Sequence, residues 1–487
     1  MKLLALLFIA FFQQVASQAS CQFEDFFEYT CVLNLNNPNG FNNFTQIEMT
    51  HLPNRTNAHV VAVRTTSFST SRNIPSVICD TFNNLRSINL FWIGITRIDE
   101  DSVKNCKSLE VLSARFNQIA NIDANALTEN LKLTTLELNG NNLTILAENL
   151  FQNNRKLVEI NLSQNRINEL PRRIFNGLSE LESLHLYENQ ISTFYEDTFA
   201  DLSKLLVMSL SNNSISYIPD QTFAPLVNLL DVYLSNNQLS KFNPYWFQNS
   251  KSLRALYLTN TDISYFPEES FVNFSKLREL MLNSNPIQKL LPQTFKSLGE
   301  LTTLNLQNCQ LVYLDPILFL NTTNLWSLNL ANNLIYELPN GVFGSLINLR
   351  ELQMDNNQLQ VISSTSFGVH PELRTVNFGW NQINAVDELF IDNVNVMQFN
   401  MLQNLCADGF WNDWSESKEL LRKELQVCFE NYEDQPPYCP IGNKYERICE
   451  LEAQSINLKL ENESIKKELY ELTARIEALE KQINRLK

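Results

Sequence analysis

The sequence predicts an α/β-type repeat solenoid, a curved horseshoe of 24-residue units with a parallel concave sheet, followed by an α-helical coiled coil. Four observations predict it. Leucines, asparagines and phenylalanines each recur at one 24-residue step, and near the C-terminus the period changes to seven. A period held in phase through a dozen steps marks stacked repeats rather than several independent domains.

The front end sets the compartment. Lys2 precedes an apolar run from Leu3 to Phe12, and Val15, Ala16 and Ser17 follow, which reads as a signal peptide over residues 1–17 with cleavage after Ser17 or Ala19. No later stretch reaches the ~18 consecutive apolar residues of a membrane span. The expectation is therefore a secreted, extracellular protein. A formal charge of −16 repels phosphate backbones and argues against a nucleic-acid partner. Nine cysteines in a secreted chain imply disulfides, and the odd count leaves at least one without an intrachain partner. Seven sequons are expected glycan acceptors: Asn43, Asn54, Asn142, Asn161, Asn212, Asn273 and Asn321.

Residues 18–84 form the expected N-terminal cap, since a solenoid must cover its terminal units. Cys21 and Cys31 bracket CQFEDFFEYTC and are expected to pair, and a strand over His59 to Arg64 extends the sheet. Cys79 and Cys106 lie just before the first two leucine strands, within bridging reach once those strands stack.

The pattern L-x-x-L-x-L-x-x-N-x-L starts at Leu109 and recurs every 24 residues to Leu373. Leu85 opens a degenerate first unit, giving thirteen leucine-rich repeats over residues 85–395. Residues such as Leu157, Ile160 and Leu162 alternate inward, as a short strand on a core requires. The ninth position carries Asn117, Asn141, Asn165 and their successors to Asn381, where a buried amide can satisfy backbone groups as the chain leaves the strand. Thr261 and Cys309 replace it, and Cys309 reads as a buried structural thiol. Phe151, Phe175 and eight further phenylalanines to Phe367 keep the same step, predicting a continuous stacked spine on the convex side.

Residues 396–430 form the expected C-terminal cap. Leu421, Leu425 and Cys428 share one helical face, Trp411 and Trp414 fill the seam against the last repeat, and Cys406–Cys428 is the capping disulfide. A Cys- and Pro-containing link, 431–444, leads to heptads over 445–487. Their a positions are Ile448, Ser455, Asn462, Leu469, Ile476 and Ile483; their d positions are Leu451, Leu458, Ile465, Leu472, Leu479 and Leu486. Ile at a with Leu at d favours two strands, and Asn462 at an a position fixes register, so this sequon is expected to stay bare. Glu461 facing Lys466, and Arg475 facing Glu480, allow a homodimer or a heterodimer with a related chain; a helix lying on the solenoid is the alternative. Cys439 and Cys449 pair either with each other or between chains.

The concave sheet is the default recognition surface of a solenoid. His185, Tyr187, Asp231, Tyr233, Tyr257 and Met281 are its candidate partner-binding residues, followed by an amide strip of Asn305, Asn329, Gln353 and Asn377. Phe91, Trp92 and Phe116 form a second aromatic group, either a patch or part of the cap seal. HExxH, GxSxG, P-loop, CxxC and zinc-spaced Cys/His motifs are all missing from the sequence, so no catalytic residue, metal or cofactor is expected.

The CQFEDFFEYTC segment, the repeat signature and the heptads from Ile448 together resemble the secreted leucine-rich-repeat immune proteins of mosquitoes. The resemblance implies disulfide-linked dimers and a complement-like thioester-containing protein as the cargo. This chain departs from it in a shorter single coil and in lacking an adjacent cysteine pair. An adhesion or matrix-organising protein is the alternative of another class.

Overall fold

The computed structural model describes residues 19–25, 29–34, 47–49, 55–65, 73–412 and 418–433. The signal peptide, Asn43, Asn54, Trp414, Cys439, Cys449 and the heptad positions lie outside the described residues. The chain divides into two units, 1–429 and 430–487, and only residues 430–433 of the second are described.

The first unit is a solenoid whose concave repeat strands, from Ser87–Asn89 to Gln398–Asn400, each span three residues. Successive strands pair in register at the repeat step, from Ser87–Asn89 through Val111–Ser113 and Thr135–Glu137 to Thr375–Asn377. A shortened fourteenth turn follows, whose strand Gln398–Asn400 pairs with Thr375–Asn377. In each strand the middle residue points inward. Leu136, Ile160, Leu184, Met208, Val232, Leu256 and Leu280 are all fully buried, while their neighbours face the concave side. Alternation with period two produces this directly.

The asparagine column holds the turns together. The Asn165 amide nitrogen donates to the carbonyls of Leu138 and Leu162, each at 3.0 Å, and its oxygen accepts from the Leu143 N–H at 3.0 Å. One side chain thus satisfies backbone groups of its own and the preceding repeat, which no apolar residue of that size could do. At the position just before this column the backbone enters the left-handed region, from Trp92 (φ 55°) and Phe116 (φ 53°) through Gly140 to Gln403. Asn212, Asn236, Asn260, Asn308, Asn332 and Asn356 occupy this left-handed position because asparagine tolerates positive φ better than most residues.

The phenylalanine ladder is buried throughout, with rings 6.4 Å apart at Phe151–Phe175 and 5.2 Å at Phe223–Phe247. It is not the continuous spine expected from the spacing. Between Phe247 and Phe271 the contact runs through Phe274, 6.3 Å from one ring and 6.1 Å from the other. Leu178, Leu202, Leu226, Leu298 and Leu346 stand where this repeat has Phe274, whose ring contacts both ladder members.

Antiparallel strands close both ends of the sheet. At the front, Ala19–Asp25 pairs with Tyr29–Asn34, which leads in parallel onto Ala62–Thr65 and so to Ser87–Asn89. The cap strand starts at Ala62, not at His59, because Asn57–His59 forms a 3-10 turn. At the back, Phe410–Asn412 lies antiparallel on Gln398–Asn400. Trp411 stacks on Phe399 at 5.8 Å, and its indole N–H donates to the Glu424 carboxylate. Helix Lys418–Glu424 buries Leu421, helix Gln426–Glu433 buries Cys428, and Leu425 is buried at the turn that breaks the single helical face expected for the three. Both caps cover strand edges that would otherwise recruit another chain.

Disulfides pin each cap. Cys79 and Cys106 are bridged with Cα atoms 4.8 Å apart, and Cys406 and Cys428 with Cα atoms 5.2 Å apart. Cys31 is also disulfide-bonded, while the Cys21 side chain lies outside the described set. Cys309 is a free thiol, wholly buried, within 3.3 Å of the Leu282 carbonyl. Burial pushes its pKa up to about 12.

Candidate protein-binding face

The strand register sorts the sequence-derived candidates into rows across the concave sheet. One row runs Asn161, His185, Ser209, Tyr233, Tyr257, Met281, Asn305. A parallel row, two residues earlier on each strand, runs Asp231, Ala255, Glu279. Asp231, Tyr233, Tyr257 and Met281 are therefore brought together on three adjacent strands. His185 lies two strands away, behind Ser209, and Tyr187 sits beyond the strand end.

At the centre, the Tyr233 and Tyr257 rings stack with centroids 4.6 Å apart and planes 24° apart. Cross-strand aromatic pairs of this kind stiffen a sheet face. The small Ala255 between Asp231 and Glu279 leaves room for the diagonal contact in which the Tyr257 hydroxyl donates to Glu279. Burial, and then this hydrogen bond, raise the Tyr257 pKa, so the phenol stays neutral through the physiological range. Asp231 is held by Arg254 at 3.0 Å. The product is a half-buried, pre-ordered aromatic platform with an acidic border. Glu279 and Arg254 were missed in the sequence. Each sits in a strand pattern where charged residues are common, and only the register puts it beside a tyrosine.

Desolvation lowers the pKa of His185, opposed by the charge of Glu159, so its ring is neutral at physiological pH and adds little charge to the face. The amide strip is partly spent on the fold. Asn305 and Asn329 each accept a hydrogen bond from the backbone N–H two residues on, at 3.0 Å, as Asn377 does at 3.1 Å. Such local amide turns order the strand exit. Asn161 does the same toward Ser163 while facing the concave side, so a glycan there would project over that face.

The front aromatic group is exposed and does not seal the cap. Phe91 is 43% accessible, Trp92 56% and Phe116 42%, with edge-on ring contacts of 6.0 and 5.5 Å. The Phe116 ring rests where a Cβ on Gly140 would stand, 2.5 Å from its Cδ1, so only glycine lets it lie there. Of the expected glycan acceptors, Asn212 and Asn321 are exposed and Asn142, Asn161 and Asn273 are half-buried.

No group of three or more His, Cys, Asp or Glu residues that could hold a metal is present among the described residues. No helix among the described residues is long and apolar enough to cross a membrane.

A solenoid of this geometry, with its aromatic platform on the concave strands, has the leucine-rich-repeat architecture. The leucine-rich-repeat family model matches residues 107–167, 155–215, 203–263, 263–311 and 323–383, more than half of the chain, which belongs to that family. No curated protein matches the sequence. Among solved structures, the chain is similar to a leucine-rich-repeat protein of Leptospira interrogans (22% identity, TM-score 0.64, covering 76% of this chain and 89% of that one). It is similar to TLR13, solved as the TLR13–ssRNA13 complex (24% identity, TM-score 0.62, covering 69% and 50%). It is also similar to Drosophila Toll in the Toll–Spatzle complex (24% identity, TM-score 0.62, covering 76% and 49%). The chain spans about half the length of the TLR13 and Toll chains it matches. At these identities the likeness is one of fold.

Proposed function

We propose that the protein is a secreted innate-immune recognition or carrier protein that binds a protein ligand on its concave face and dimerises through its C-terminal coiled coil. The observation that carries the binding reading is the stacked Tyr233–Tyr257 pair, held by Glu279 and bordered by the Asp231–Arg254 ion pair. Pre-ordered aromatics cost little conformational entropy on binding and are the residues in which interface energy concentrates. Disulfides in both caps suit an oxidising, extracellular setting.

The immune reading is supported by the mosquito-family resemblance and by the shared fold with Toll, whose complex with Spatzle is described as a hub in development and innate immunity. On the resemblance, a complement-like thioester-containing protein is the cargo, and the partner in the coil is a second copy or a related chain. The TLR13 structure holds RNA, but a formal charge of −16 disfavours that ligand here. The test is affinity purification of the tagged full chain from body fluid, with and without reductant, followed by mass spectrometry. Co-purification of a thioester-containing protein supports the carrier reading. Basement-membrane components in its place would establish the adhesion alternative.

A further inference from the structure

We propose a second binding site, an arginine-rich cleft at the strand-entry edge of the late repeats that takes an acidic peptide segment of a protein partner. The residue that enters each strand forms its own row, linked by backbone hydrogen bonds. Thr302 N–H donates to the Arg278 carbonyl at 2.9 Å, Trp326 to Thr302 at 3.0 Å, Arg350 to Trp326 at 2.8 Å and Arg374 to Arg350 at 2.8 Å. Five adjacent strands therefore present three guanidinium side chains and one indole. They line a cleft of about 900 Å³ that also includes Glu300 and Glu351.

Of the three arginines, Arg374 also donates to the Asn395 carbonyl at 3.3 Å. Arg350 and Arg374 occupy neighbouring strands, where like charges side by side destabilise a sheet. Arg350 makes no ion pair among the described residues. The pairs beside it are loose and exposed: Arg278–Glu300 at 3.6 Å and Arg374–Glu372 at 3.7 Å. Contacts of that kind contribute little and are readily exchanged. Glu351 is within 3.2 Å of the Ser327 hydroxyl, which donates to it. Trp326, 40% accessible, adds an apolar surface to the cleft from the strand next to that of Arg350.

Guanidinium forks match carboxylates in a two-bond geometry, and a flanking indole covers the methylenes of a bound side chain. Strand spacing makes the row about 19 Å long, the reach of five or six extended residues. The partner segment thus has this length and carries at least two acidic side chains. The row abuts the platform, since the Arg278 N–H donates to the Arg254 carbonyl at 2.8 Å, but its argument does not rest on the tyrosines.

The test is titration of the full chain with a fluorescent hexaglutamate peptide, followed by anisotropy at low salt, with inorganic phosphate and a heparin oligosaccharide as competitors. The expected results are saturable binding, weakening of about tenfold in Arg350→Gln from loss of one charged hydrogen-bonding group, a smaller loss in Trp326→Ala, and no change in Tyr233→Ala. Both site residues are exposed, and thermal unfolding confirms that their variants remain folded. Absence of binding, binding indifferent to Arg350→Gln, or displacement by phosphate or heparin in preference to free hexaglutamate would each overturn the proposal.

Discussion

The asparagine column makes unequal demands along the solenoid, and one irregular repeat exposes the difference. Asn237 donates to the carbonyls of Leu210 at 3.1 Å and Leu234 at 2.8 Å, and accepts from the Ile215 N–H at 2.9 Å. Leu210 has a second donor in Asn213. Leu234 has none among the described residues, because the next repeat carries Thr261, whose hydroxyl reaches its own Leu258 instead. At Asn165 the neighbours cover both carbonyls: Asn141 also donates to Leu138, and Asn189 to Leu162. Asn237→Ala therefore orphans one buried N–H and one buried C=O, while Asn165→Ala orphans only the Leu143 N–H. With about 1–3 kcal/mol for each orphaned group, the first costs roughly 2–6 kcal/mol and the second roughly 1–3 kcal/mol. The cavity left by truncation is common to both and drops out of the comparison. Guanidinium unfolding of the two variants, with slopes matched to the parent, measures the difference. Equal losses, or a larger loss for Asn165→Ala, would refute the idea that the ladder is shared between neighbours.

Three further outcomes follow from the same structure. Replacing Cys79 and Cys106 together by serine should destabilise the front cap by roughly 3.5 kcal/mol, the entropy of opening a loop of sequence separation 27, seen as an earlier unfolding transition by calorimetry. Cys309 should resist iodoacetamide at pH 8 in the native protein and react fully after denaturation, as mass shifts will show; native-state labelling would contradict its burial and its raised pKa. His370 is wholly buried with Nε2 2.7 Å from the Phe367 carbonyl, and desolvation lowers its pKa below the ordinary 6.5. A depressed folded-state pKa gives stability that is present above pH 6.5 and lost as the pH falls through the folded value. Melting temperatures taken from pH 7.5 downward should therefore fall in the parent and fall less in His370→Gln.

The repeating part of the fold was legible because each unit restates the same physical solution. The inward strand position is filled by Ile160 in one repeat and Leu184 in the next, and the capping amide by Asn165 and then Asn189, so each unit repeats the reading of its neighbour. What was not legible is what breaks the period. Phe274 interrupts the aromatic ladder, and nothing in the 24-residue step announces a ring that intrudes between two others. The cap strand begins at Ala62 because a 3-10 turn takes up Asn57–His59, a local choice that apolar alternation does not encode. The platform was half visible. Tyr233 and Tyr257 stand at outward positions that sequence can count, but Glu279 and Arg254 join them only diagonally, through strand pairing. The amide strip looked like a binding feature, yet Asn305, Asn329 and Asn377 commit their oxygens to the backbone two residues on.

The central claim is that the tyrosine platform captures a protein. The direct measurement compares the tagged parent with a Tyr233→Ala/Tyr257→Ala variant, both purified from the same body fluid after circular dichroism and calorimetry show the variant folded. The parent should retain a stoichiometric partner and the variant should lose it by tenfold or more, as truncation of two central aromatic anchors causes. Retention of the same partner in the same amount by the variant would contradict it.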